Sequence, residues 1–231
     1  MPDFLQKVKE GSRLLIDDGL VELNVREKRN GGVVCEALAD GTLKPRKTVA
    51  CEWVTMDGSA IVEEDRKTIA LAKDVDWIAV SHVKTAGDIE EARELADCRV
   101  MAKIENAVAV RNIREIIQAS DGIMVARGDL GVNVPLQLVP IIQEQIVGLC
   151  RQAGVFSVVA TQMMESMIAY PRPSRAEVTD VWNAVRQGAD GVMLSGETAV
   201  GAHPAEAVGW MRKICDAAEK QAGSQDVELL H

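Results

Sequence analysis

The feature that most constrains this chain is a pair of short apolar runs about twenty residues apart, with an amphipathic interval between them. The first, Val100-Met101-Ala102-Lys103-Ile104-Glu105-Asn106, carries a lysine and a glutamate. The second, Gly122-Ile123-Met124-Val125-Ala126, runs into Arg127-Gly128-Asp129-Leu130-Gly131. Short, continuously apolar runs read as strands buried on both faces, and strands separated by a helical interval pair in parallel. In βα folds the chemistry collects at the carboxyl ends of such strands. There the first strand delivers Lys103 and Glu105, two residues apart and so on one face of the pleat. The second delivers Asp129 at its exit, in a Gly-flanked turn whose backbone N–H groups can point at an anion. Singly, these read as solvated loop carboxylates and a lysine snorkelling from a strand end. Together they are harder to dismiss, because a lysine within an apolar strand needs a partner. Two carboxylates on adjacent strands beside a lysine suit a hard divalent cation that holds an anionic substrate.

The pattern recurs along the chain. Parallel strands are predicted near 76–81, 99–105, 122–127, 155–161 and 191–195. Helices are predicted over 62–72, 86–96, 135–151 and 204–220. The third of these has Leu138, Ile141, Ile142, Gln145 and Ile146 near one side and Gly154 as its stop. Residues 1–50 read differently, as β-rich, with Leu20 to Val25 alternating in the manner of a half-buried strand. Turn signals at Asp17-Asp18-Gly19, Asn30-Gly31-Gly32 and Asp40-Gly41 divide that region.

Aromatic residues make up only 3% of the 231, so Val, Ile, Leu, Ala and Met must fill the core. The formal charge of −9 argues against a general nucleic-acid or acidic-membrane surface. No apolar run approaches the ~18–20 residues of a membrane span. The first residues have neither a signal-peptide core nor transit-peptide character. Five scattered cysteines without CxxC spacing read as reduced thiols in an intracellular compartment, against a disulfide or zinc framework.

AKIEN, SDGIMVARGDLG, VVATQMMESM, YPRPSRAEVTDV and GADGVMLSGETA together resemble the pyruvate kinase family, over roughly residues 8–220. The resemblance implies an α/β fold: a partial (β/α)8 TIM-barrel-like parallel sheet supplying strands four to eight (56–222). A partial β-rich lid (1–55, with GSRLLIDDGLVEL as the matching segment) precedes it, and a tail (223–231) follows. It implies phosphoryl transfer in glycolysis between phosphoenolpyruvate and ADP, giving pyruvate and ATP, impaired in the isolated chain by the missing barrel strands. Glu105 and Asp129 match the carboxylates for Mg²⁺ or Mn²⁺. Lys103 matches the lysine that stabilises charge on the transferring phosphoryl group. Gly128 and Asp129 match the turn that holds the substrate carboxylate. Thr161 matches the threonine at the substrate's methylene carbon, where a hydroxyl can take part in proton delivery; a strand-end threonine satisfying backbone is the other reading. Arg127 serves either that turn or an ion pair within the barrel. Ser195-Gly196-Glu197-Thr198 is either a phosphate loop or a packed βα turn, and Met163, Met164 and Met167 read as packing. His82 stands where the family more often has an aromatic residue and reads as a buried, satisfied histidine. Asp17 and Asp18 read as turn chemistry, with a nucleotide-facing role as the alternative.

The sequence also departs from the family. The usual Gly- and Pro-punctuated return from lid to barrel is replaced by Thr48-Val49-Ala50-Cys51-Glu52-Trp53-Val54, so the hinge need not bend in the same way. No counterpart appears for the first three barrel strands, for the arginine that clamps the transferring phosphate, or for the carboxyl-terminal regulatory domain. K⁺ is expected for the family, but its ligands are not visible here. Five strands leave two sheet edges, to be covered by the amino-terminal segment, by a homo-oligomer or by a complementing chain, unless the chain folds as an open sheet. Three readings follow: a truncated enzyme retaining metal and enolpyruvate binding, a non-catalytic subunit, or a fragment of a longer product. Cytoplasm is the default location and a plastid the alternative, because the wording of VPIIQEQIVGLCRQAG is reminiscent of plastid-type members.

Overall fold

The computed structural model describes residues 2–223 apart from 18, 30, 46 and 73. The proposed nucleotide-facing role of Asp18 and the tail 224–231 lie outside the described residues.

A short helix, α1 (Pro2–Lys7), opens the chain where the sequence reading had only strands. It forms because Phe4 and Val8, one helical turn apart, bury against Leu14, Val25 and Cys51. Burial of this kind is worth about 1.5–3 kcal/mol per large side chain, enough to hold a helix too short to stand alone. The strands it covers are β1 (Arg13–Ile16), β2 (Val21–Arg29), β3 (Gly32–Ala37) and β4 (Val49–Cys51). They form an antiparallel sheet in the order β3-β2-β1-β4. Leu20, expected to begin β2, sits in the turn and is largely exposed.

The remainder alternates helix and strand: α2 (Glu63–Leu71), β5 (Trp77–Val80), α3 (Ala86–Leu95), β6 (Arg99–Ile104), then α4 (Ala107–Arg111) and α5 (Ile113–Ala119). After them come β7 (Gly122–Ala126), α6 (Arg127–Asn133), α7 (Val139–Ala153) and β8 (Phe156–Ala160). The series ends with α8 (Arg175–Gln187), β9 (Gly191–Met193), α9 (Gly196–Ala199) and α10 (Pro204–Gly223). All five predicted strands are present, pair in parallel and stand in sequence order, β5-β6-β7-β8-β9. This is the neighbour order of consecutive strands in a (β/α)8 barrel, with helices on the outer face.

Alternation along each strand separates two apolar layers. Val100, Ala102 and Ile104 of β6 and Ile123 and Val125 of β7 face the helices. Met101, Met124, Ala126, Val158 and Ala160 line the inner face with Trp77 and Met193. Lys103, two residues beyond Met101, shares that inner face. The sheet curls enough for Trp77 of β5 to meet Phe156 of β8, with ring centroids 5.8 Å apart. Gly122 lies beneath the indole, where a Cβ would come within 3.0 Å of Trp77.

The helix predicted over 135–151 differs in two respects. Residues 136–138 form a single 3₁₀ turn, and α7 starts at Val139 with Pro140 in its first turn. Its buried face is Val139, Ile142, Gln143, Ile146, Val147 and Cys150, while Ile141 and Gln145 point outward. Gly154 does close the helix, at φ 69°.

Candidate active site

Glu105 is the first residue past β6 and is completely buried. The chain is pinned immediately after it by Asn106. That side chain accepts from Val108 N and Ala109 N at 3.0 Å to cap α4, and donates to Val83 O at 2.9 Å. Around the Glu105 carboxylate three groups converge from two neighbouring strand ends. His82 N donates to Oε2 at 2.8 Å, and His82 Nδ1 lies 3.2 Å from the same atom. Lys103 Nζ stands 2.6 Å from Oε1 and donates to Ser81 Oγ at 2.8 Å. The ammonium is close enough to compensate the charge, yet no donor is aligned on Oε1 as a hydrogen bond. A fully buried carboxylate oxygen with a charge beside it and no aligned donor is a position a cation would satisfy.

Asp129 reaches the same end of the sheet from β7. The Gly-flanked turn expected after that strand is instead the first turn of α6, which begins at Arg127 with no intervening loop. Leu130 is buried in the outer core, and Asn133 Nδ2 donates back to Asp129 O at 2.7 Å, so both apolar and polar contacts favour the helix. Asp129, His82, Lys84, Asn106 and Asn133 line a cleft of about 420 Å³, whose other wall includes Thr48, Val49 and Ala50 of the amino-terminal sheet region. Among the described residues no three His, Cys, Asp or Glu side chains gather around one point. A cation held by Glu105 and Asp129 would therefore complete its shell with water or substrate oxygens, as Mg²⁺ ordinarily does.

Thr161, the residue after β8, has φ 71°, and Gln162 has φ 52°. The left-handed region is unusual for a β-branched residue and costs about 1–3 kcal/mol unless the surroundings hold it. Arg127 supplies that hold. Its guanidinium donates to Thr161 O at 2.8 Å and Gln162 O at 3.2 Å, and pairs with Asp180 at 2.7 Å. This places Arg127 within the barrel, the second of its two expected uses. The strained turn aims Thr161 Oγ1 at Gly128 N, which donates to it at 2.7 Å. Gly128, Thr161 and Asp129 thus come together at the ends of β7 and β8.

His82 is not the buried histidine expected from the sequence: its side chain is 74% exposed, and its backbone is left-handed, with φ 57°. The loop at Ser195 is a packed turn. Its Glu197, buried at α9, accepts from Met164 N at 2.9 Å and Ser195 N at 2.8 Å, so these two backbone donors are already taken by a side chain. Met163, Met164 and Met167 are fully buried packing residues. Asp17 pairs with Lys47 at 2.7 Å in a left-handed turn. The altered hinge makes its turns with Trp53 (φ 64°) and Gly58 (φ 101°). Trp53 N donates to Asn133 O at 2.9 Å, Lys7 holds Thr55 O at 2.7 Å, and Lys84 holds Met56 O and Gly58 O. Nothing in the sequence pattern foretold these long-range lysine contacts.

Asp88 joins this hinge to the barrel. Burial alone would raise its pKa, but the N–H groups of Lys84, Thr85 and Ala60 and the Lys84 ammonium outweigh it. The carboxyl therefore sits below the usual range.

The family model for the pyruvate kinase barrel domain matches residues 1–208. The chain belongs to the pyruvate kinase family. It is 42% identical to a pyruvate kinase of Clostridium perfringens, over 94% of this chain and 48% of that protein. It is 45% identical to one from Dictyostelium discoideum, over 98% of this chain and 46% of the other. It is 44% identical to plastidial pyruvate kinase 2 of Arabidopsis thaliana, over 92% and 38%. The chain thus spans less than half the length of these pyruvate kinases, and its five-stranded parallel sheet is part of the family's (β/α)8 barrel.

Proposed function

We propose that this chain carries the divalent-metal and enolpyruvate part of a pyruvate kinase site, serving phosphoryl transfer between phosphoenolpyruvate and ADP to give pyruvate and ATP. The observation that carries this reading is the buried Glu105 carboxylate, faced by Lys103 at 2.6 Å and left without an aligned donor on Oε1. Glu105 and Asp129 would hold Mg²⁺ or Mn²⁺, which when bound polarises substrate oxygens and neutralises their charge. Lys103 places a point cation where the phosphoryl oxygens gain charge, and such transfer depends on positioning and charge stabilisation. A substrate carboxylate at Gly128 would take over the N–H that the Thr161 hydroxyl now accepts. That exchange would release the hydroxyl towards the substrate, where it can move a proton. K⁺ is expected from the family, although no ligand set for it is recognisable among these residues. The family resemblance supports the cytoplasm as its location, with a plastid as the alternative that the Arabidopsis relative supports.

The test is Mn²⁺ affinity, measured by the loss of the free-ion paramagnetic signal. Glu105→Gln and Asp129→Asn should each weaken binding at least tenfold; unchanged affinity in both would end the reading.

A second reading is favoured by β5 and β9, each paired on one side only among the described residues, in a sheet that a barrel would close. On this reading the chain is a non-catalytic subunit that assembles with another copy or a complementing chain. Mass measurement in solution beside a coupled pyruvate-formation assay separates the two: turnover by a monomer excludes the second, and an inactive oligomer whose Mn²⁺ affinity is unchanged by Glu105→Gln and Asp129→Asn excludes the first.

A further inference from the structure

The exit of β5 holds a nitrogen that the reading above leaves unused. His82 adopts a left-handed backbone, a region in which histidine, asparagine and aspartate are enriched among non-glycine residues but still uncommon. That conformation turns two of its groups onto one oxygen. The backbone N–H donates to Glu105 Oε2 at 2.8 Å, and Nδ1 lies 3.2 Å from it. The carboxylate is completely buried, whereas the imidazole is 74% exposed and lines the cleft that Asp129 also lines. Two ligands about 2.1 Å from one cation and roughly 90–110° apart stand about 3.0–3.4 Å from each other. The Nδ1–Oε2 separation falls inside that span. Glu105 Oε1, buried 2.6 Å from the Lys103 ammonium yet without an aligned donor, marks this carboxylate as a place for further positive charge.

We propose that His82 Nδ1 is a direct ligand of the divalent cation alongside Glu105, with Asp129 reaching the ion through water because no three such side chains gather around one point among the described residues, making the site a mixed nitrogen–oxygen one that selects first-row transition cations over Mg²⁺. This rests on the metal-binding part of the proposed function. The selectivity follows from the chemistry of the donors. Mg²⁺ demands oxygen ligands and gives up water reluctantly, so an imidazole adds little to its binding. Imidazole suits Co²⁺, Ni²⁺, Cu²⁺ and Zn²⁺, whose affinity for nitrogen-containing sites exceeds that of Mn²⁺. His82 therefore discriminates between cations that two carboxylates alone would separate less strongly.

The test uses the intact chain and its His82→Asn and Glu105→Gln variants. Asparagine tolerates the left-handed backbone and cannot supply an imidazole, so the fold is retained. Calorimetric titration with Co²⁺ and with Mg²⁺ is paired with the electron paramagnetic resonance spectrum of bound Cu²⁺. The expected result is a Co²⁺ affinity lowered about tenfold or more in His82→Asn, with Mg²⁺ affinity within about threefold of the parent. Nitrogen hyperfine structure on Cu²⁺ should be present in the parent and lost in His82→Asn. The chain has three histidines, so that loss assigns the signal. Equal Co²⁺ affinity in parent and His82→Asn, or nitrogen structure that survives the substitution, overturns the proposal while leaving the carboxylate site standing. Binding of both ions unaltered by Glu105→Gln overturns the carboxylate site and this proposal with it.

Discussion

Replacing Lys103 by methionine should destabilise the metal-free chain, and metal should then restore much of the loss. Methionine keeps the length and apolar stem of the side chain but removes the ammonium 2.6 Å from Glu105 Oε1. Breaking a buried ion pair costs about 3–5 kcal/mol, because one charge is left uncompensated in a poorly solvated place. Two features lower that figure here. The Lys103 side chain is 25% exposed, and Oε2 keeps its hydrogen bond from His82 N. A loss of about 2–3 kcal/mol is expected, equivalent to roughly 4–12 °C in the melting temperature of a chain this long. In Lys103→Met/Glu105→Gln both charges are gone, so the double variant should lie within about 1 kcal/mol of the parent. Thermal unfolding followed by far-ultraviolet circular dichroism, with and without excess Mn²⁺, measures the parent, Lys103→Met, Glu105→Gln and the double variant. Mn²⁺ should stabilise Lys103→Met more than the parent, since the ion replaces the missing charge. A Lys103→Met chain as stable as the parent, or one that gains nothing extra from Mn²⁺, would refute the argument that Glu105 needs a cation beside it.

Further expectations concern the surroundings of the site. Asp88→Asn should cost about 2–3 kcal/mol at neutral pH, since three backbone N–H groups lose a charged acceptor. Because the folded pKa of Asp88 is depressed, its contribution is present above the ordinary carboxylate pKa of about 3.9 and fades as pH falls below it. Denaturant titrations at neutral pH and in acid should therefore show the gap between parent and variant closing in acid. Thr161→Ser should leave stability within about 0.5 kcal/mol, whereas Thr161→Val should lose about 1–2 kcal/mol, because only serine retains the acceptor for Gly128 N. Denaturant midpoints for the pair check this. Burial, with a smaller push from Asp190, drives the Cys150 thiol up to about 12, so it should resist alkylation by iodoacetamide until the chain unfolds globally. Peptide mapping by mass spectrometry after graded exposure tests that expectation.

The strands were legible because each is a continuous apolar run, and a parallel sheet covered on both faces demands that pattern. The two-residue spacing of Lys103 and Glu105 also put them on one face of the pleat, and the structure brings Nζ within 2.6 Å of Oε1. What spacing could not give was the conformation of glycine-rich or strained segments. Arg127-Gly128-Asp129 reads as a turn until Leu130 finds a buried place and Asn133 reaches back to the Asp129 carbonyl, both tertiary effects. The same holds for α1, which exists only because Phe4 and Val8 have a sheet to cover. The exposed face of α7 was misjudged because Ile141 is apolar by type but points outward by one residue's rotation. His82 escaped because nothing in a sequence window reports a positive φ. Its aim at Glu105 depends on a carboxylate 23 residues away. Sequence does not choose between the two uses of Arg127, because its partners, Thr161, Gln162 and Asp180, become neighbours only after the barrel strands assemble.

The central claim is that the ends of β6, β7 and β8 form a site for a divalent cation and an enolate-like anion. Oxalate tests it most directly, because as a planar dianion it imitates the enolate that the metal and the residues around Gly128 and Asp129 would stabilise. Calorimetric titration of oxalate into the chain, with and without Mg²⁺, is the measurement. Binding is expected only in the presence of Mg²⁺ and should be abolished by Asp129→Asn. Oxalate binding that is absent, or unaffected by the metal, would contradict the central claim.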